Sequence, residues 1–192
     1  MSDLRRSIEL KIKLTDEEWK QIDKLFKRGQ VKKKESFLEK GKYSKVIAYV
    51  EEGAVYSCLR LKSGLSAVQH ICFEGYWFGD LESFFSEKPS KREILALENT
   101  TYRYINLEDF EQLCESCRKF ERFFRMLIIR AYIASQNRIE SRFVQNAEER
   151  YLKYLKDYAK FHNRIPQGIL ASYLGIKTQS LSRIRKRLSE SL

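Results

Sequence analysis

Hydrophobic positions along this chain change period three times. The first regular stretch follows Leu14-Thr15-Asp16-Glu17-Glu18-Trp19. Thr15 and Glu18 have the spacing of a capping box, and Leu14 and Trp19 sit where a hydrophobic staple would. Trp19, Ile22 and Leu25/Phe26 continue one apolar face, which predicts a helix to about Arg28. From Val31 to about Leu107 the period becomes two. Val46–Val50, Ala54–Leu61, Leu65–Phe73, Ile94–Leu97 and Tyr102–Leu107 read as strands. Glu51-Glu52-Gly53, Lys62-Ser63-Gly64, Glu74-Gly75 and Asn99-Thr100 punctuate them. Short strands with regular turn signals predict a sandwich or a barrel.

The period then returns to helical. Phe120, Phe124, Leu127, Ala131, Ala134, Arg138 and Ser141 alternate steps of four and three on a helix from about Arg118 to Phe143. That is a heptad seam, and it predicts a parallel dimer helix. Phe123, Ile128 and Ile133 supply a second face for packing within the same chain. Asn146-Ala147-Glu148-Glu149 opens another helix, with Tyr151, Leu152, Leu155, Tyr158 and Ala159 as its apolar set. His162-Asn163-Arg164 breaks it, and Pro166 suits the first turn of the next helix.

The segment after Gln167 has the spacing of a helix-turn-helix. Ala171 is a small residue where two short helices cross. Gly175 stands where the chain must turn, and Leu181 and Ile184 hold the second helix against the first. The reading helix is expected from about Thr178 to Ser189. Leu181, Ile184 and Leu188 would face inward, and Thr178, Gln179, Ser182, Arg183 and Lys186 outward. Thr178 is the nearest capping side chain.

Charge sharpens this picture. Net charge is +11. Residues 1–117 are neutral overall, so the whole excess lies in residues 118–192, with the helix-turn-helix. Such segregation predicts a surface that faces a polyanion. The lysines Lys32 to Lys34 read as a solvated turn or strand edge. No apolar run approaches the roughly 20 residues of a membrane span, and Met1–Glu9 lacks the apolar core of a signal peptide. These features point to a cytoplasmic protein. Enzyme chemistry lacks its parts: the chain has no P-loop, no dinucleotide-binding glycine pattern and only two histidines, His70 and His162. Cys114 and Cys117 form a lone Cys-x-x-Cys without the further ligands of a zinc site, while Cys58 and Cys72 lie on strand patterns. No metal or cofactor is expected.

Three stretches carry a resemblance over nearly the whole length. They are Tyr49-Val50-Glu51-Glu52-Gly53-Ala54-Val55 with Gly64, Trp77-Phe78-Gly79-Asp80-Leu81, and Ile169 to Ile176 through Ser180-Leu181-Ser182-Arg183-Ile184. The chain resembles the bacterial transcription regulators of the cyclic-AMP receptor protein/FNR family. The resemblance implies an α+β chain: an N-terminal β-roll or jelly-roll barrel of the cyclic-nucleotide-binding type (1–117), a dimerisation helix (118–143) and a C-terminal helix-turn-helix domain (144–192). It implies a homodimer on double-stranded DNA, at an inverted repeat, with RNA polymerase as a further partner if binding activates. On the family pattern Thr178, Gln179 and Arg183 fall on base-reading positions, and Ser182 is expected to join them; Lys177, Arg185, Lys186 and Arg187 are expected to contact phosphates.

The departures bear on the signal. Cyclic-nucleotide binders have a glutamate after the cassette glycine, where this chain has Asp80. They have a phosphate-binding arginine about eleven residues after that glycine, where this chain has Ser90, then Lys91 and Arg92. The pocket of Gly79, Asp80, Leu81, Ser90, Lys91 and Arg92 is therefore expected to sense a small molecule other than cyclic AMP, or nothing. No cysteine precedes Cys58, so the family's N-terminal iron–sulfur cluster is not expected. The segment Lys160–Arg164 is too short for the β-hairpin wing of many relatives, so the wing should be reduced. The alternative is a cyclic-nucleotide-binding-like regulatory or protein-interaction module without specific DNA binding.

Overall fold

A computed structural model describes residues 3–62 and 64–190. Ser63, in the expected turn after Lys62, lies outside the described residues. Two helices lead in, α1 (Asp3–Glu9) and α2 (Asp16–Leu25). Both halves of the capping box form on α2. The Thr15 N–H donates to Glu18 Oε2 at 2.7 Å, and the Glu18 N–H donates to Thr15 Oγ1 at 3.2 Å. The helix stops at Leu25 rather than Arg28, because Phe26 is extended and Lys27 already pairs in a strand.

Eight strands follow: β1 (Lys27–Val31), β2 (Ser36–Leu38), β3 (Val46–Glu52), β4 (Val55–Arg60), β5 (Ser66–Cys72), β6 (Trp77–Phe78), β7 (Arg92–Ala96) and β8 (Thr100–Asn106). They form two four-stranded antiparallel sheets, in the orders β1-β8-β3-β6 and β2-β7-β4-β5. Helix α3 (Leu81–Ser86) interrupts them, and α4 (Leu107–Ser116) closes the unit. The sequence pattern anticipated five of these strands. It missed β1, the short strands β2 and β6, and the helices α1, α3 and α4.

The long helix α5 runs from Arg118 to Val144. It is apolar on two opposite sides. Phe120, Phe123 and Phe124 are buried with Phe26, Phe84 and Phe110 in the chain's own core. Leu127, Ala131 and Ala134 continue that inner side and line a cavity. Of the anticipated seam, Phe120 and Phe124 are buried in the chain's own core, Leu127 is half-buried, and Ala131 and Ala134 are exposed. At about 100° per residue, Ile129, Tyr132, Ile133 and Phe143 lie on the other side, and all four are exposed.

Helix α6 (Ala147–Asp157) begins at Asn146, whose side chain accepts from the Glu148 and Glu149 N–H groups. Residues 158–166 hold one 3-10 turn (His162–Arg164) and no strand, so nothing resembling a wing is present there. Pro166 lies just before α7 (Gln167–Leu174) rather than inside its first turn, and its carbonyl accepts the Leu170 N–H at 3.0 Å. Gly175 takes a left-handed φ of 71°, which only glycine adopts without a Cβ penalty. The chain thus turns into α8 (Thr178–Glu190). Ala171, at 1% exposure, sits with Leu170, Leu174, Leu181 and Ile184 between the two helices.

The α6–α8 unit packs on the second sheet. Ser172 Oγ donates to the Ser66 carbonyl at 2.6 Å and accepts the Val68 N–H at 3.0 Å, so α7 satisfies part of the free edge of β5. Phe161 stacks on Phe73 with ring centroids 4.3 Å apart.

Candidate nucleic-acid interface and effector cavity

Helix α8 divides as its period requires. Leu181 and Ile184 are buried and Leu188 is half-buried. Thr178, Gln179, Ser182, Arg183 and Lys186 are exposed in one array, with Lys177 beside its first turn. Thr178 is the first residue of the helix, and the Lys177 carbonyl accepts the Leu181 N–H at 3.1 Å. No ion-pair partner for Arg183 or Lys177 exists among the described residues.

The other candidates are tied down to different degrees. Ser182 Oγ accepts from Gln167 Nε2, which fixes the start of α7 to the reading helix. Arg185 is half-buried. Its Nε donates to the Tyr151 hydroxyl at 3.1 Å, and its guanidinium lies 5.7 Å from that ring's centroid. Arg187 pairs with Glu148 across to α6. Lys186 lies 3.8 Å from Glu190, with both groups well exposed, so that pair is weak.

In the sensory half, Gly79 has φ 151°, and Asp80 follows at 2% exposure. Asp80 Oδ2 accepts from Ser90 Oγ at 2.6 Å, and Arg92 Nε lies 3.5 Å from Asp80 Oδ1. Lys91 points outward to Glu82 at 2.8 Å. Of the six pocket residues read from the sequence, Gly79, Asp80, Leu81 and Arg92 line a cavity of about 740 Å³; Ser90 and Lys91 do not.

Sequence reasoning missed the far wall of this cavity. His70 and Arg138 stand on it, with Arg138 Nη2 3.5 Å from His70 Nε2. Arg138 also donates to the Gln69 carbonyl and lies 5.7 Å from the Tyr173 ring centroid. Desolvation, then the charges of Arg138 and Arg92, lower the His70 pKa although the residue keeps one exposed side, so the ring is neutral at pH 7. Burial pushes the nearby Cys72 thiol up to about 12, against a smaller opposing effect of Arg138. The available signal was Arg138 itself, a charge in the middle of an apolar heptad position. No group of three or more histidine, cysteine and acidic side chains able to hold a metal occurs among the described residues.

A β-sandwich with a glycine-led cassette, a long helix and a helix-turn-helix define the class. Residues 28–117 match the family model described as the cyclic nucleotide-binding domain, and the chain has the fold of regulators of the cyclic-AMP receptor protein/FNR type. Among solved structures it is similar to FixK2 from Bradyrhizobium japonicum, with 16% identity and a TM-score of 0.77, covering 86% of this chain and 85% of that one. It is similar to the c-di-GMP responsive global regulator CLP of Xanthomonas campestris, with 13% identity and a TM-score of 0.75, covering 92% and 93%. It is also similar to the catabolite activator protein of Thermus thermophilus, with 19% identity and a TM-score of 0.60, covering 94% and 86%. Two of these neighbours are described as a global regulator and an activator. No curated protein matches the chain by sequence. Among the described residues no helix is long and apolar enough to cross a membrane.

Proposed function

We infer that this chain is a cytoplasmic, sequence-specific DNA-binding transcription regulator that acts as a homodimer and answers to a small-molecule effector other than cyclic AMP. The observation that carries this reading is the exposed row Thr178, Gln179 and Arg183 on α8. It stands on a compact helix-turn-helix, in the segment that holds the chain's entire net charge. In this reading Arg183 takes a guanine edge bidentately, and Gln179 an adenine. Lys177 is unpaired among the described residues and Lys186 is held only by its weak pair with Glu190, so both can take phosphates. Arg185 and Arg187 join them by exchanging Tyr151 and Glu148 for the backbone. The reading against cyclic AMP rests on Ser90, whose hydroxyl is engaged by Asp80 where binders carry an arginine. A serine does not replace a bidentate phosphate contact.

The dimer seam in this reading is the outer side of α5. Four exposed apolar side chains, with Phe143 at 84% exposure, form a stripe that a second copy would cover. Ile133→Glu places like charges across that seam. The variant is expected to sediment as a monomer and to lose most of its DNA affinity, while its melting temperature changes little. A dimer of unchanged affinity would move the seam elsewhere.

Selection from random duplexes with the full chain tests the function. The expected product is an inverted repeat with half-site centres roughly 34 Å apart. Absence of any enriched sequence over competitor DNA would return the chain to a regulatory or interaction module.

A further inference from the structure

The chain's own side chains close the cassette where a cyclic phosphate would lie. Ser90 Oγ donates to Asp80 and also accepts the Arg92 N–H at 3.1 Å. Space opens instead on the side of Arg92 that faces β5 and α5. Three nitrogen-bearing groups, Arg92, His70 and Arg138, meet that space. Arg92 Nε is buried and meets only Asp80 Oδ1, at 3.5 Å, without a well-formed hydrogen bond. Ser57, 8% exposed, stands directly across the ladder from His70, and its buried Oγ also lacks a partner. Buried donors without partners are costly unless something bonds them.

The remaining walls are of another kind. Phe124, Leu127, Ala131 and Ala134 come from α5, and Tyr158 and Tyr173 from the helices that carry the reading unit. The two tyrosine hydroxyls lie 3.4 Å apart, and Tyr173 is adjacent to Ser172, which docks α7 on β5. Resting on the effector reading above, we propose that this cavity binds a small organic anion with a flat apolar body. Its acid group is held between Arg92 and Arg138 beside Ser57 and His70, and its body lies against the Tyr158–Tyr173 wall.

Charge and shape select this class. Six basic side chains, among them Arg92 and Arg138, line the cavity against the three acidic ones Asp80, Glu82 and Asp157. The crowding of Arg92 and Arg138 around His70 is relieved by a negative group and aggravated by a positive one. Aromatic walls favour a flat body, and a cavity of this volume suits a ligand of drug size. The site is bounded by the cassette on one side and by Tyr158 and Tyr173, at the end of α6 and on α7, on the other. Occupancy would therefore act on the α7–β5 contact and on the cassette together.

Anilinonaphthalene sulfonate, a flat aromatic anion whose fluorescence rises on binding, is the probe. The full-length protein should bind one molecule per chain saturably, and the neutral phenylnaphthylamine much more weakly. Arg92→Gln and Arg138→Gln should each weaken the anion about tenfold. Ala131→Trp, which fills the cavity from the helix side, should abolish binding without lowering the melting temperature. Ser57→Ala guards against misfolding as an explanation, since it removes only one hydroxyl and should weaken the probe severalfold. Non-saturable binding, equal affinity for the neutral analogue, or full affinity in both arginine variants overturns the proposal. Failure here with an inverted repeat still selected removes the site and leaves the regulator. Probe binding with no selected sequence removes the regulator and leaves the site.

Discussion

Arg164→Ala should destabilise the chain by about 2 kcal/mol and free the reading unit from the β-sandwich. Arg164 Nη1 and Nη2 donate to Glu74 at 2.9 and 2.7 Å, and Nε donates to Glu98 at 3.0 Å. Its guanidinium also lies over the stacked Phe73 and Phe161 rings, 5.3 and 5.5 Å from their centroids. All three ionic side chains are about a third exposed, so solvent screens the pair and a fully buried value does not apply. Truncation leaves Glu74 and Glu98 facing each other without the cation between them. For a chain of this size the loss corresponds to roughly 4–8 °C in melting temperature, read by calorimetry. An unchanged melting temperature would mean that the clamp does not form in solution.

The same clamp has a pH signature. Burial opposes ionisation of Glu74, but hydrogen bonds from Arg164 and from the Gly53 N–H outweigh it, and its pKa lies below the ordinary carboxylate value. A carboxylate lowered on folding stabilises the protein above its unfolded pKa, and that contribution is lost as pH falls through the folded value. The wild-type chain should therefore lose stability in acid more steeply than Arg164→Ala, with the two curves converging at the lowest pH.

Arg183→Ala is expected to cost about 1–3 kcal/mol per half-site and to relax selection at one base pair of each. Arg183 is exposed near the start of α8 and has no ion-pair partner among the described residues to release first. Lys186→Ala is the contrasting change. It should weaken all duplexes alike and reduce the salt slope by about one unit for each phosphate that is no longer neutralised. Quantitative binding to the selected duplex and to its single-base variants, at several salt concentrations, separates the two. Uniform weakening by Arg183→Ala would assign that side chain to a phosphate.

What could be read from the chain alone was short-range. The Thr15–Glu18 box, the Asn146 start and the Ala171–Gly175–Leu181–Ile184 spacing depend on sterics and bonds within a few residues, so the sequence displays them directly. The division of charge at about residue 117 is likewise a property of the chain. Periodicity also announced α5, but a helix apolar on two sides does not say which side meets its own domain. Only the packing of Phe120 and Phe124 against Phe26 and Phe110 decided that Ile129, Tyr132, Ile133 and Phe143 remain outside. The cavity and the clamp were illegible for a related reason. Arg164 finds Glu98 and Glu74 across 66 and 90 residues, and Arg138 reaches His70 across 68. Pairings of that separation leave no periodic trace, because they are set by how one folded surface closes on another.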